Sequence, residues 1–131
     1  MSNVDHPEHY NSHPSGVEAI EIAERLSFNL GNAIKYLMRR QHKGRELEDL
    51  QKALWYTKRE HERLSKNTRE VWGLPPGDVY EKAIMVVAAE ECPDMGTAMG
   101  LIALASWSES AARLVFLAAE LIEEEIQELS K

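Results

Sequence analysis

Apolar residues follow a helical period through the stretch from Phe28 to Tyr56. At about 100° per residue, Leu30, Ala33, Ile34, Leu37 and Met38 form one stripe, and Asn32, Lys35 and Arg39 stand opposite, flanked by Tyr36 and Lys43. A second helix is predicted from Glu46 to Lys66, with Leu47, Leu50, Ala53, Leu54, Thr57 and Leu64 on one face. Trp55 falls on the far side of that helix, with Glu48, Lys52 and Arg59, and so needs a partner: the C-terminal half, another subunit or a ligand base. Asp49 and Tyr56 sit between the two faces. The link from Gln41 to Arg45 is short, with Gly44 placed as a cap, so these two helices are expected to be neighbours.

Upstream, Met1 to Gly16 holds two His-Pro steps and reads as a loop arm. Val17 to Leu26 reads as a first helix, with Val17 and Ile20 inward and with Ala23 or Ile22 beside them. Glu21 and Glu24 suit a solvated face, whereas Glu18 lies beside the arm. Ser27 to Gly31 forms the next turn, where a glycine near a helix start admits an anion to free N–H groups. Downstream, Asn67 to Asp78 contains Trp72-Gly73-Leu74-Pro75-Pro76-Gly77, the clearest boundary in the chain; Trp72 and Leu74 are expected to pin it to the core. Asp78 is expected to cap a helix running to about Glu91, and Cys92-Pro93-Asp94 to break it. Gly96 and Gly100 predict a close helix contact. Ala111, Val115, Ala118, Ile122, Ile126 and Leu129 form a near-heptad stripe on a last helix, which suits a self-associating hairpin. The expectation is an all-α fold: a compact helical bundle with an N-terminal loop arm and a C-terminal helical hairpin used for packing or oligomerisation. The units are residues 1–66, a linker at 67–77 and an extension over 78–131.

Charge changes this picture. The 131 residues carry a net charge of −7, yet Asn29 to Arg45 holds five basic residues (Lys35, Arg39, Arg40, Lys43 and Arg45) and no acidic one. Residues 1–77 hold 12 basic and 11 acidic side chains, a net of +1, and residues 78–131 hold 3 and 11, a net of −8. Concentrated positive charge with interleaved aromatics suits a phosphate-bearing ligand. The acidic balance argues against a duplex nucleic acid partner. The single Cys92 excludes an internal disulfide pair and fits a reducing cytoplasm. No apolar run is long enough to span a bilayer and none follows a basic start, so neither a membrane span nor a signal peptide is expected.

Chemistry-bearing motifs are few. Walker and Rossmann glycine patterns, a Cys–His pair and a Gly-x-Ser-x-Gly elbow are missing, as is a Glu-x-x-Glu array. His6, His9 and His13 lie close together, but one loop without cysteine is a poor zinc site, and no metal site is assigned. His9 and Tyr10 instead suit a pocket wall. Asp49 could coordinate Mg²⁺, hold a ribose hydroxyl, or pair with Lys35 or Arg39.

The arm Val4-Asp5-His6-Pro7-Glu8-His9-Tyr10, then Gly16-Val17-Glu18, the run from Phe28 to Leu37 with Arg39, and Glu48-Asp49-Leu50 with Lys52-Ala53 and Trp55-Tyr56 resemble a phage nucleotide kinase-like small helical domain family, over about Val4 to Arg63. The resemblance implies a phage protein made in a bacterial cytoplasm and a nucleotide-binding site at His6, His9, Tyr10, Glu18, Asn32, Lys35, Tyr36, Arg39, Asp49, Lys52 and Tyr56; Lys43 joins them from the basic window. Three functions are then expected as alternatives. One is a P-loop-less deoxynucleoside monophosphate kinase, with Lys35 and Arg39 on phosphates, Mg²⁺ on Asp49 or Glu18 and a tyrosine on the base. Another is a non-catalytic sponge for a host immune nucleotide. The last is an oligomeric helical protein that binds a host protein. The expected partners are a nucleotide-derived small molecule and further copies of the chain.

Overall fold

A computed structural model describes residues 13–41, 44–66, 86–105 and 110–131. Among them the regular elements are all helical: α1 (Ala19–Ala23), α2 (Phe28–Arg39), α3 (Glu46–Lys66), α4 (Pro93–Ala105) and α5 (Ala111–Leu129), with a further helical turn at 86–89. The arm up to residue 12, the Pro/Gly linker with Trp72 and Leu74, the Asp78 cap and Lys43 lie outside the described residues.

Each helix has a local cause. α1 is short, and its N-cap residue Glu18 donates its backbone N–H to the Glu21 carboxylate at 2.7 Å. Ser27 caps α2, its Oγ accepting from the Leu30 N–H at 3.4 Å. Gly44, in the link that follows, has φ +69°, a conformation glycine adopts without strain. α3 begins with Glu46, Glu48 and Asp49 and ends with Arg63 and Lys66, an order that complements the helix dipole. Pro93 opens α4, where its missing N–H costs nothing.

The stripes then decide the packing. α3 packs against both α2 and α5, α5 packs against α4, and α4 returns to α2, so four helices surround one core. Leu30, Ile34 and Leu37 of α2 are fully enclosed together with Leu50 of α3, Met95, Met99 and Ile102 of α4, and Val115 and Ile122 of α5. The all-α bundle expected from the sequence is therefore present. Ala111, Val115, Ala118, Ile122 and Ile126 of the near-heptad stripe pack into this same core, whereas Leu129 is exposed. Burying such side chains contributes roughly 1.5–3 kcal/mol each, which outweighs the weak intrinsic stability of any single helix.

Some inward assignments differ. α1 turns Ala19 and Ile22 to the core and leaves Ile20 53 % exposed, because the helix stops at Ala23, where its carbonyl meets α2. Leu47 lies in the first turn of α3 and is exposed. A Cβ at Gly31 would stand 2.9 Å from the Ala23 carbonyl oxygen, so that glycine serves the α1–α2 contact in place of an anion. Its N–H is engaged by the Ser27 carbonyl at 2.7 Å. Gly96 approaches the Ala88 carbonyl in the same way, whereas Gly100 faces open space.

Two buried ionic clusters join segments far apart in the chain. Glu91 accepts from Arg40 Nη1 at 2.7 Å and from His13 Nε2 at 2.8 Å, and both Arg40 and Glu91 side chains are almost fully enclosed. The Ser15 N–H donates to His13 Nδ1 at 3.1 Å, which leaves the proton on Nε2 for Glu91. Arg40 Nη1 also donates to the Leu37 carbonyl, while its Nε finds no hydrogen bond and lies 3.5 Å from Glu46. In the second cluster, buried Glu60 accepts from Ser27, Asn29 and the fork of Arg63 at 2.8–3.1 Å. Burial pushes the Glu60 carboxyl up, but those donors outweigh it and hold the group below its ordinary value.

Candidate functional site

Helical spacing on α2 and α3 assembles one surface. Lys35, Tyr36 and Arg39 project from α2 at neighbouring positions, and Asp49, Lys52, Trp55 and Tyr56 come from α3 across the contact between the two helices. Tyr36 and Tyr56 stack with centroids 6.0 Å apart and planes 12° from parallel. Trp55 meets Tyr56 edge-on at 5.0 Å, and Phe28 does so at 6.2 Å. Three cations surround the Tyr36 ring: Lys35 Nζ at 4.5 Å, Arg39 Cζ at 4.9 Å and Lys52 Nζ at 5.4 Å from its centroid. Each such contact is worth roughly 0.5–1 kcal/mol at an exposed site, enough to bias a side chain's position.

The charges are partly compensated. Asp49, 1 % exposed, accepts from Arg39 Nε and Nη2 at 3.2–3.3 Å, leaving Arg39 Nη1 unengaged by it. The pairing of Asp49 with Arg39 is thus realised. Lys52 pairs with Glu48 at 3.1 Å and holds that carboxyl below its ordinary value. Among the described residues, no carboxylate lies within ion-pair distance of Lys35. Three cations against two carboxylates give the surface a net of +1. Exposed Trp55 and Phe28, 60 % and 75 % accessible, border it. The Tyr36–Tyr56 stack spends one face of each tyrosine on the other, so the rings offered outward are those of Trp55 and Phe28.

Beside this surface, α1 and α2 line an open pocket of about 230 Å³ whose walls include Ile20, Ala23, Phe28, Asn32 and Lys35. Asn32 donates to the Phe28 carbonyl at 2.9 Å, and Glu18 stands at the N-cap of α1. The structure therefore brings Lys35, Tyr36, Arg39, Asp49, Lys52 and Tyr56 together and places Asn32 at the edge of the adjoining pocket. His6, His9, Tyr10 and Lys43 lie outside the described residues. Arg40, one of the basic window, points inward to Glu91. Phe28 is not among the expected site residues, although its apolar ring stands one turn before Asn32; of the partners open to Trp55, none covers it among the described residues, and its ring is 60 % exposed. Among the described residues, no group of three or more His, Cys, Asp and Glu side chains is placed to hold a metal ion, and no helix is long and apolar enough to cross a membrane.

A family model described as a protein of unknown function (DUF3310) matches residues 4–58, less than half of the chain. Comparison with curated proteins and with solved structures found no match. The matched stretch nearly coincides with the one that resembles a nucleotide kinase-like family, but the family model it matches carries no such designation. The family assignment is corrected accordingly. Arg39 gives Asp49 a structural partner.

Proposed function

We propose that the α2–α3 surface is a binding site for a nucleotide-class ligand, with phosphate held by Lys35 and the outward edge of Arg39 and the base laid against Trp55 or Phe28. One observation carries this reading: three cations gather within 5.4 Å of the Tyr36 ring, beside exposed aromatic rings, on a chain of net charge −7. An ammonium supplies a compact charge and a guanidinium supplies two parallel donors, the complement of a phosphate oxygen set. Asp49 orients Arg39 and competes with phosphate for it, which keeps the affinity moderate. At roughly 0.3 kcal/mol per ligand atom, a nucleoside monophosphate gives a Kd on the order of 10 µM. A reducing cytoplasm suits the exposed, unpaired Cys92.

A thermal-shift panel of nucleoside mono-, di- and triphosphates tests the reading. At a hundredfold excess over Kd, binding adds about 2.7 kcal/mol, or roughly 8 °C in Tm for a chain of this size. Mass spectrometry of the recovered ligand separates storage of an intact nucleotide from turnover. A second reading, docking of a protein through exposed Phe28 and Trp55, predicts no shift with any nucleotide.

A further inference from the structure

α3 and α5 leave a groove of about 590 Å³ that shares no lining residue with the aromatic surface. Its walls are Lys58 and His61 from α3 and Phe116, Ala119, Glu120, Glu123 and Glu124 from α5, one cation against three carboxylates. Phe116 is 47 % exposed and meets the His61 ring at 5.6 Å, so the floor is apolar and open. The rim is acidic. Lys58 reaches only Glu123, at 3.5 Å, with both side chains largely in solvent. Among the described residues, no cation lies within ion-pair distance of Glu120 or Glu124, which stand one helical turn apart and repel each other. A continuous apolar floor flanked by unneutralised carboxylates is complementary to a helix with an apolar face and basic edges. The α5 positions from 116 to 124 span roughly 12 Å, two turns of such a helix.

We infer that this groove docks a basic amphipathic helical segment of a partner protein. An apolar side chain of the segment covers Phe116 and Ala119, and its arginine or lysine side chains meet Glu120 and Glu124. Phe116 then gives shape and the carboxylates give charge sign, so that an acidic segment is refused. The site is separate from the nucleotide surface proposed above.

The test uses the full chain and a labelled amphipathic helical peptide with leucines on one face and arginines along its edges, followed by fluorescence anisotropy. The expected result is saturable one-to-one binding, about tenfold weaker for Glu120→Gln with Glu124→Gln and for Phe116→Ala. A control pair, Glu62→Gln with Glu128→Gln, removes the same charge elsewhere and is expected to change Kd by less than about twofold. Lys35→Met is expected to leave peptide binding unchanged, so loss of the nucleotide reading does not affect this one. Equal weakening by the groove and control pairs would overturn the inference, since it marks non-specific attraction. So would sedimentation showing a wild-type dimer that Glu120→Gln with Glu124→Gln dissociates, because the groove would then be covered by a second copy.

Discussion

Replacing Glu91 with alanine removes the acceptor on which Arg40 and His13 converge, and the structure sets the size of the effect. Glu91 Oε2 lies 2.7 Å from Arg40 Nη1, with side chains 4 % and 3 % exposed. Removing one member of an enclosed pair leaves the other charge without compensation, at a cost of about 3–5 kcal/mol. Two features reduce it: the Leu37 carbonyl still accepts from Nη1 at 3.0 Å, and Glu46, 29 % exposed, lies 3.5 Å from Nε. Loss of the His13 hydrogen bond adds about 1 kcal/mol. We therefore expect a destabilisation near the lower end, about 3 kcal/mol, a large share of the 5–15 kcal/mol typical of a domain. Urea unfolding followed by far-UV circular dichroism measures it, with an unchanged m-value showing that the same surface unfolds. Glu91→Gln, which keeps an acceptor oxygen, is expected to cost about half as much. Arg40→Met combined with Glu91→Leu removes both charges and is expected to recover most of the loss. A cost below about 1 kcal/mol for Glu91→Ala would refute the reasoning, because Arg40 would then be satisfied without Glu91.

The remaining predictions concern the helix contacts and pH. Gly31→Ala brings a Cβ within 2.9 Å of the Ala23 carbonyl, and the clash is expected to exceed the gain in helix propensity, for a net loss of about 1–2 kcal/mol; Gly100→Ala, with nothing within 4 Å, is expected to gain about 0.5–1 kcal/mol in the same denaturation assay. Glu60 titrates below its ordinary value of 4.5 in the folded chain, so its contribution is present above that pH and is lost as pH falls through the lower folded value. Glu60→Gln is accordingly expected to lower stability at neutral pH by about 1–3 kcal/mol and to flatten the decline between pH 5 and the acid limit, as measured by Tm against pH.

Much of the bundle could be read from the chain because local patterns wrote it. α2 and α3 lie where the apolar period and the link with Gly44 place them, and the positions that gather at the surface are one turn apart on each helix; the turn expected over Ser27 to Gly31 is instead the cap and first turn of α2, because the Ser27 side chain already accepts from the Leu30 N–H. Pro93 marked a boundary by opening α4. The misplaced residues fall at helix starts: Ile20 and Leu47 fit an apolar period, but short or terminal turns are oriented by whatever packs on them. Arg40 shows the limit most clearly. By spacing it belonged to a cationic window, yet its partner Glu91 stands 51 residues away and nothing local foretells that pairing. The same holds for Ser27, Asn29 and Glu60, each polar and unremarkable alone. The ring stack that turns Tyr36 and Tyr56 toward each other depends on the α2–α3 crossing, so the outward role of Trp55 and Phe28 could not be assigned beforehand.

Lys35 offers the most direct test of the central claim, because it faces the aromatic surface and removing it leaves no described carboxylate without its partner. Nucleotides are titrated into wild type and Lys35→Met by isothermal calorimetry, with Trp55→Phe and Trp72→Phe and Trp107→Phe single variants used to assign any fluorescence change to its tryptophan. Saturable binding on the order of 10 µM is expected, about tenfold weaker in Lys35→Met, whose Tm falls by only a few degrees for the lost contact with Tyr36, with Trp55 reporting the ligand. Saturable binding that Lys35→Met leaves intact, or no heat with any nucleotide, would contradict that claim.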